Sequence, residues 1–294
     1  MPRPTLVLAL ALAAALAAGC APRVPEGAEQ RSELVQVGGA RVRIAWLAGD
    51  EEAARQVAAG VRAAVPRTAR WGGLEAPVTI TIHPTHQALE EAVRRSGFAW
   101  LRAWARWDTI DLQSPPTWKL FGASDEQVAE LLAHELTHCA MYQHAASDQW
   151  SWSYKGIPLW FREGMASLTA DQGYRRGGPE ELWRFYEQGI AGAGGGAPGP
   201  GARARAAGGR GNEGDPLADP EPLYQERSDV VYGAAHHAFV FLLQRYGEPR
   251  VVRLLERMRA GATFTVAFQD VMGLTEAEFL DDFRRYLVLQ GWRR

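Results

Sequence analysis

An α+β fold is the expectation for this chain, and three features of the sequence carry it. Strand and helix patterns alternate β-α-β-α-β over the first 115 or so residues. A strongly capped helix then begins at Ser124, and from Leu159 onwards the apolar spacing is helical only. With 294 residues the chain is long enough for one large domain or two sublobes around a substantial core.

The elements follow in order. Val42 to Trp46 alternates as a strand, and Asp50 is placed to cap a helix from Glu51 to about Val65. Val78-Thr79-Ile80-Thr81-Ile82 alternates β-branched residues and is the clearest strand. Pro84-Thr85 opens a helix to about Arg95, and Trp107 to Gln113 reads as a further strand ended by Pro115-Pro116. Ser124 and Gln127 form a capping-box pair with Asp125 and Glu126 in the first turn of a helix that reaches about His144. Leu159 to Ala170, Glu180 to Gln188, Asp229 to Tyr246 and Glu248 to Arg259 are helices. A last one starts at Thr275, where Thr275 and Glu278 pair as a second capping box. Between them, 189–222 is dominated by Gly, Ala, Pro and Arg, and is expected to be a flexible excursion with nothing to bury. The aromatic residues Phe98, Trp100, Trp104, Trp107 and Trp118 are expected to pack the sheet, with a substrate groove as the other reading.

Hydrophobic residues make up 47% and charged residues 22%, the balance of a globular protein. The net charge of −2 gives no electrostatic footprint for nucleic acid, so no nucleic-acid partner is expected. The amino terminus differs in kind. Arg3 precedes thirteen apolar residues from Leu6 to Ala18, too short for a membrane span but right for a signal-peptide core. Leu16-Ala17-Ala18-Gly19-Cys20 resembles the lipobox of bacterial lipoproteins, although Ala17 stands where Leu is usual. That resemblance implies a signal peptide over 1–19, lipidation of Cys20 and a membrane anchor; Ala21 after the cysteine implies the outer membrane, facing the periplasm. An ordinary secretory signal cut near Ala21 is the alternative. Cys20 and Cys139 are the sole cysteines, so an exported form would rely on its core rather than on disulfides. A polar tether is expected over 20–34, an N-terminal sublobe over 35–145, and a helical sublobe over 146–294.

The chemistry lies in His134-Glu135-Leu136-Thr137-His138. Residues four apart on a helix sit one turn above each other, so both imidazoles can reach one ion. Glu135 is rotated about 100° from His134 and can act as general base on a water beside the metal. Leu131, His134, His138 and Met141 share a stripe, which directs both imidazoles inward. Glu163, set in the apolar stretch Trp160-Phe161-Arg162-Glu163-Gly164-Met165-Ala166, supplies the third ligand, and Gly164 beside it allows close helix approach. Two imidazoles and one carboxylate suit a single Zn2+ ion with an open position. His83, His86 and His144 follow no pattern and are expected at the surface; Cys139 is expected in the core.

This pattern, followed by Pro158-Leu159-Trp160-Phe161-Arg162-Glu163-Gly164-Met165-Ala166, resembles the gluzincin metallopeptidases of the peptidase MA-like group. Tyr232-Gly233-Ala234-Ala235 before Phe239 to Leu243, and Phe268 to Thr275 with Phe279 and Phe283, are similar to that group's later segments. The likeness runs over roughly residues 75 to 290. It implies a zincin-like fold, a small twisted mixed sheet with backing helices and a helical C-terminal lobe. It also implies hydrolysis of a peptide or protein substrate, paired to an edge strand placed at Trp107 to Gln113. Tyr232 matches a tyrosine of the group, and His236, one turn later, and His237 are further candidates to stabilise an oxyanion; each fits a packed helix residue equally well. Where many gluzincins carry an Asp four residues after the third ligand, this chain has Ser167, with Asp171 one turn beyond. A catalytically silent zinc-binding lipoprotein, acting as a binding or assembly module, is the competing reading. Glu135 argues against it, because binding alone has no use for a base.

Overall fold

A computed structural model describes residues 29–191, 215–224 and 227–291 of the chain. The expected signal peptide over 1–19, Cys20 and the tether up to residue 28 lie outside the described residues, as does most of the Gly-rich excursion. Among the described residues, no helix is long and apolar enough to cross a membrane.

Strands β1 (Gln30–Val37), β2 (Ala40–Leu47), β3 (Val78–His83), β4 (Ala103–Ala105) and β5 (Thr109–Gln113) form one mixed sheet in the order β1-β2-β3-β5-β4. β1 lies antiparallel to β2, β2–β3 and β3–β5 are parallel, and β4 closes the far edge antiparallel to β5. Two expectations are corrected here. The tether was expected to run to residue 34, yet β1 begins at Gln30. Its first five residues are all exposed and only Val35 is buried, so backbone pairing to β2 holds the strand and composition does not reveal it. The second correction concerns the edge. β5 is interior, paired on both sides, and the edge beyond it is β4, with β1 at the opposite edge. Three residues, Ala-Trp-Ala, are too short for a period-two pattern, and a tight turn in which Arg106 N–H bonds Thr109 C=O (2.7 Å) returns the chain into β5.

Helix α1 (Glu51–Thr68) covers the sheet, and α2 (His86–Val93) follows β3. Asp50 stands at the N-cap of α1 but makes no capping bond; its Oδ1 accepts from Ser114 Oγ at 3.1 Å instead. α1 also continues past Pro66 to Thr68. Thr85 does cap α2, its hydroxyl accepting from Ala88 N–H. Helix α3 (Asp125–Ala145) starts on the expected capping box: Gln127 N–H bonds Ser124 Oγ (3.3 Å) and Ser124 N–H bonds Gln127 Oε1 (3.1 Å).

The remaining helices are α4 (Leu159–Thr169), α5 (Pro179–Ala191), α6 (Ser228–Tyr246), α7 (Glu248–Arg259), α8 (Phe264–Met272) and α9 (Glu276–Gly291). α8 was not anticipated. Part of the expected excursion, from Asp215, lies within the described residues, and Leu217 is buried in the helical core. Asp215 Oδ1 accepts from the Leu217 and Ala218 amides, and Arg284 Nη2 meets its other oxygen at 2.9 Å. A single Leu between Pro and Asp residues is invisible to composition.

Helix α3 is the spine between two cores. Leu132, Ala133, Leu136 and Cys139 join the sheet and α1, whereas Met141, Tyr142 and Ala145 join the helical core. Buried on every side from Leu132 to Gln143, it is a central helix rather than an amphipathic surface one. In the helical core Trp160 stacks on Phe279 (5.3 Å between ring centres) and donates from Nε1 to Glu276 Oε1 at 2.7 Å. Phe161 packs edge-on against Phe239 and Phe264.

The approach of α4 to α6 rests on Gly164. A methyl group there would lie 2.4 Å from Ala235 O and 2.5 Å from Phe239 Cβ, so the two backbones would have to separate. Gly164→Ala is therefore expected to destabilise the protein by about 1–3 kcal/mol or more. It should also displace the adjacent Glu163. Thermal melts and metal titration check both effects; an unchanged Tm would show that the helices yield at no cost.

Candidate metal centre

α3 carries His134 and His138 on one face, and α4, held against α6 through Gly164, turns Glu163 toward them. All three side chains are buried, with 6–8% of each residue exposed. The Nε2 atoms of His134 and His138 are 3.2 Å apart. Glu163 Oε2 lies 3.2 Å from His134 Nε2, and Oε1 lies 3.7 Å from His138 Nε2. A tetrahedral ion with bonds of about 2.0–2.2 Å holds neighbouring ligand atoms about 3.3–3.5 Å apart. The donors therefore already stand close to the corners of such a site, and this is the one metal-capable group of its kind among the described residues. The residues fit a zinc ion.

Electrostatics support the same reading. Burial by itself would raise the Glu163 carboxyl, but the two imidazoles override it and hold the group well below its usual range. Burial would lower His134, yet the hydrogen bond and charge of Glu163 keep it raised. Glu135 differs from Glu163. Burial raises its carboxyl, the imidazoles only partly offset that, and the backbone amide of Ala105 in β4 offers it a hydrogen bond. The two carboxylates of the site are thus pushed apart, one toward permanent charge and one toward exchange of a proton.

The support behind His134 was not visible in the sequence. Its Nδ1 lies 3.1 Å from Gln172 Oε1, and a proton donated there makes Nε2 the nitrogen free to hold a metal. Ser167, four residues after Glu163, instead bonds His236 Nδ1 at 3.1 Å. Asp171 is exposed, with φ of 59°; it ends α4 and turns the chain so that the next residue, Gln172, comes back under α3. No spacing rule points to a residue set by such a turn. His138 Nδ1 has no hydrogen-bond partner among the described residues, and the Tyr142 ring stacks parallel to the His138 ring at 6.0 Å.

A cleft of about 340 Å³ opens over the centre, walled by Trp100, Trp104, Trp118, Tyr142, Trp152 and Tyr232. Three of the five aromatics expected to pack the sheet therefore face this cleft, while Phe98, Trp100 and Trp104 also cover a small cluster around Leu89 and Leu101. Of the oxyanion candidates, Tyr232 lines the cleft, edge-on to Trp100. His236 sits behind it, its ring against Gly173, and burial lowers it to about 4. His237 donates from Nε2 to Gly177 O at 2.6 Å. Neither histidine is on the cleft wall.

His83, expected at the surface, is 7% exposed and donates from Nε2 to Asp111 Oδ1 at 2.8 Å across β3 and β5. Arg106 Nη1 meets the other Asp111 oxygen at 2.5 Å, so a polar strand residue is buried because its neighbour supplies a partner. Cys139 is fully buried; its thiol donates to Arg106 O and is pushed well up by burial, which makes it inert.

Fold and site together define a class: an α+β chain with a buried His/His/Glu group able to hold a metal, set beneath an aromatic cleft. No protein-family model and no curated protein matches the sequence. Among solved structures, it is similar to a two-domain M1 zinc metallopeptidase, a mutant bound to L-arginine, with 14% identity and a TM-score of 0.39 over 89% of this chain and 51% of that one. An M1 zinc metallopeptidase mutant from Deinococcus radiodurans gives 16% and 0.37, over 89% of this chain and 52% of that one. An aminopeptidase N family protein from Idiomarina loihiensis gives 12% and 0.34, over 88% and 41%. The chain spans about half the length of these proteins or less, and the functional argument rests on its own residues.

Proposed function

We propose that the protein is a zinc-dependent metallopeptidase that holds one ion through His134, His138 and Glu163. The observation that carries the reading is the convergence of two Nε2 atoms and a carboxylate, with the separately buried Glu135 beside them at the floor of an open cleft. When bound, the ion supplies a Lewis acid that polarises the scissile carbonyl and acidifies water.

The chain's own groups do the rest. Glu135 accepts a proton from the attacking water and returns it to the leaving amine. Tyr232, on the cleft wall, donates a hydrogen bond to the carbonyl oxygen as charge builds there. β4 borders the cleft as an edge strand, to which an extended peptide can add as a further strand. The aromatic walls exclude water and take up substrate side chains. Lipid anchoring through Cys20 in the outer membrane, facing the periplasm, belongs to the same proposal and is supported by Leu16 to Cys20. The test is hydrolysis of unstructured peptides by purified protein. Cleavage should cease on chelation and return with Zn2+; cleavage that persists in chelated protein would end the proposal.

A further inference from the structure

We propose that Arg176 makes the cleft a carboxylate-binding site, so that the preferred substrate is a peptide bearing a carboxylate close to the scissile bond. This specificity rests on the peptidase reading.

Arg176 follows the turn that delivers Gln172, and it lines the cleft. Its Nη2 donates to Gln172 Oε1 at 3.0 Å, the same oxygen that receives His134 Nδ1–H. Its Nε lies 3.4 Å from Ser167 Oγ, and its guanidinium stands 5.1 Å from the centre of the Tyr232 ring. Every one of these partners is neutral. Among the described residues Arg176 forms no ion pair, and its Nη1 makes no hydrogen bond. Burial lowers its pKa, but a guanidinium stays charged at any working pH. The Glu163 and Glu130 carboxylates act on it through space only, and a guanidinium half withdrawn from water without a bonded counter-ion is costly unless a ligand supplies one.

The neighbouring charges point the same way. The lining of the cleft carries Arg102, Lys119, Arg162, Arg175 and Arg176 against three carboxylates, Glu130, Glu135 and Glu163. A divalent ion would offset Glu135 and Glu163. Glu130 is engaged through Oε2 by Arg175 Nη2 at 2.9 Å and by the Tyr174 hydroxyl at 2.6 Å. What remains is strongly cationic, and Gln172 links Arg176 to the metal-ligand candidate His134. Such a surface favours an anion; Glu130, the remaining carboxylate of the lining, is paired with Arg175 and its Oε1 is buried. The planar guanidinium with a free edge suits a carboxylate by paired hydrogen bonds. Two sources share that chemistry: a free peptide C-terminus and an acidic side chain.

The experiment uses one peptide sequence in five forms: with a free or amidated C-terminus, with Glu or Gln beside the scissile bond, and with an acetylated amine. Binding is measured by calorimetry on zinc-loaded Glu135→Gln protein, which keeps the cleft but does not turn over. One carboxylate form should bind roughly 10- to 100-fold more tightly than its neutral counterpart. Which form does so identifies the source. Adding Arg176→Gln should remove the difference, and Arg176→Lys should restore part of it, with zinc content unchanged. Equal binding of charged and neutral forms, or a preference set by the free amine, would overturn the proposal, and that comparison needs no Arg176 variant. A fall shared equally by all peptides on Arg176→Gln would also overturn it, because it marks a structural or oxyanion role. Wild-type turnover of the same peptides separates the two readings. Hydrolysis without carboxylate preference removes this inference alone, whereas carboxylate-selective binding without hydrolysis removes the peptidase reading and leaves the anion site standing.

Discussion

Glu135→Gln is expected to lower kcat for peptide hydrolysis by about 10²- to 10⁴-fold while zinc content stays at that of the wild type. The amide keeps the shape of the carboxylate and can still face the Ala105 amide through its oxygen, but it cannot take a proton. Glu135 is 7% exposed, so the wild-type chain keeps an ionisable group where burial opposes its charge. Replacing it by a neutral isostere removes that opposition, and stability should hold or rise slightly. The contrast between lost turnover and retained metal separates a base from a ligand. Peptide kinetics beside metal analysis reads it out, and a variant that cleaves at the wild-type rate would leave the HExxH helix without its assigned base.

His138→Ala should have the opposite signature, in which metal content falls from about one ion per chain toward none and activity falls with it. Two donors remain, and Glu163 is left buried beside a single imidazole. Losing one partner of a buried charge costs about 3–5 kcal/mol, so the metal-free variant should melt below the metal-free wild type. Zinc should raise the melting temperature of the wild type, with stabilisation of about 4 kcal/mol when free zinc is a thousandfold above its Kd. The variant should show little of that gain. Differential scanning calorimetry with and without zinc measures both terms. A His138→Ala protein that bound zinc like the wild type would remove His138 from the centre.

Much of the centre was legible because it is periodic. His134 and His138 are one turn apart, the Ser124–Gln127 capping box places the helix that carries them, and Glu163 stands out as a charge in an apolar run. Gly164 signalled a close approach before any contact was known, and Ala235 and Phe239 are what it approaches. Other features had no local signature. β1 is held by backbone pairing with exposed side chains, and β4 is too short to show a period. Gln172 reaches His134 because Asp171 reverses the chain, and His83 is buried because Asp111 lies on the adjacent strand.

Helical periodicity and caps are properties of neighbours along the chain, and from them came the position of the HExxH helix, its two inward imidazoles and the candidate third donor. Which strand borders the cleft, which amide orients His134, which aromatics line the cleft and which guanidinium faces it without a direct ion pair are relations between residues far apart in sequence. Long-range packing alone brings such groups within hydrogen-bonding distance, and tertiary structure therefore decided them.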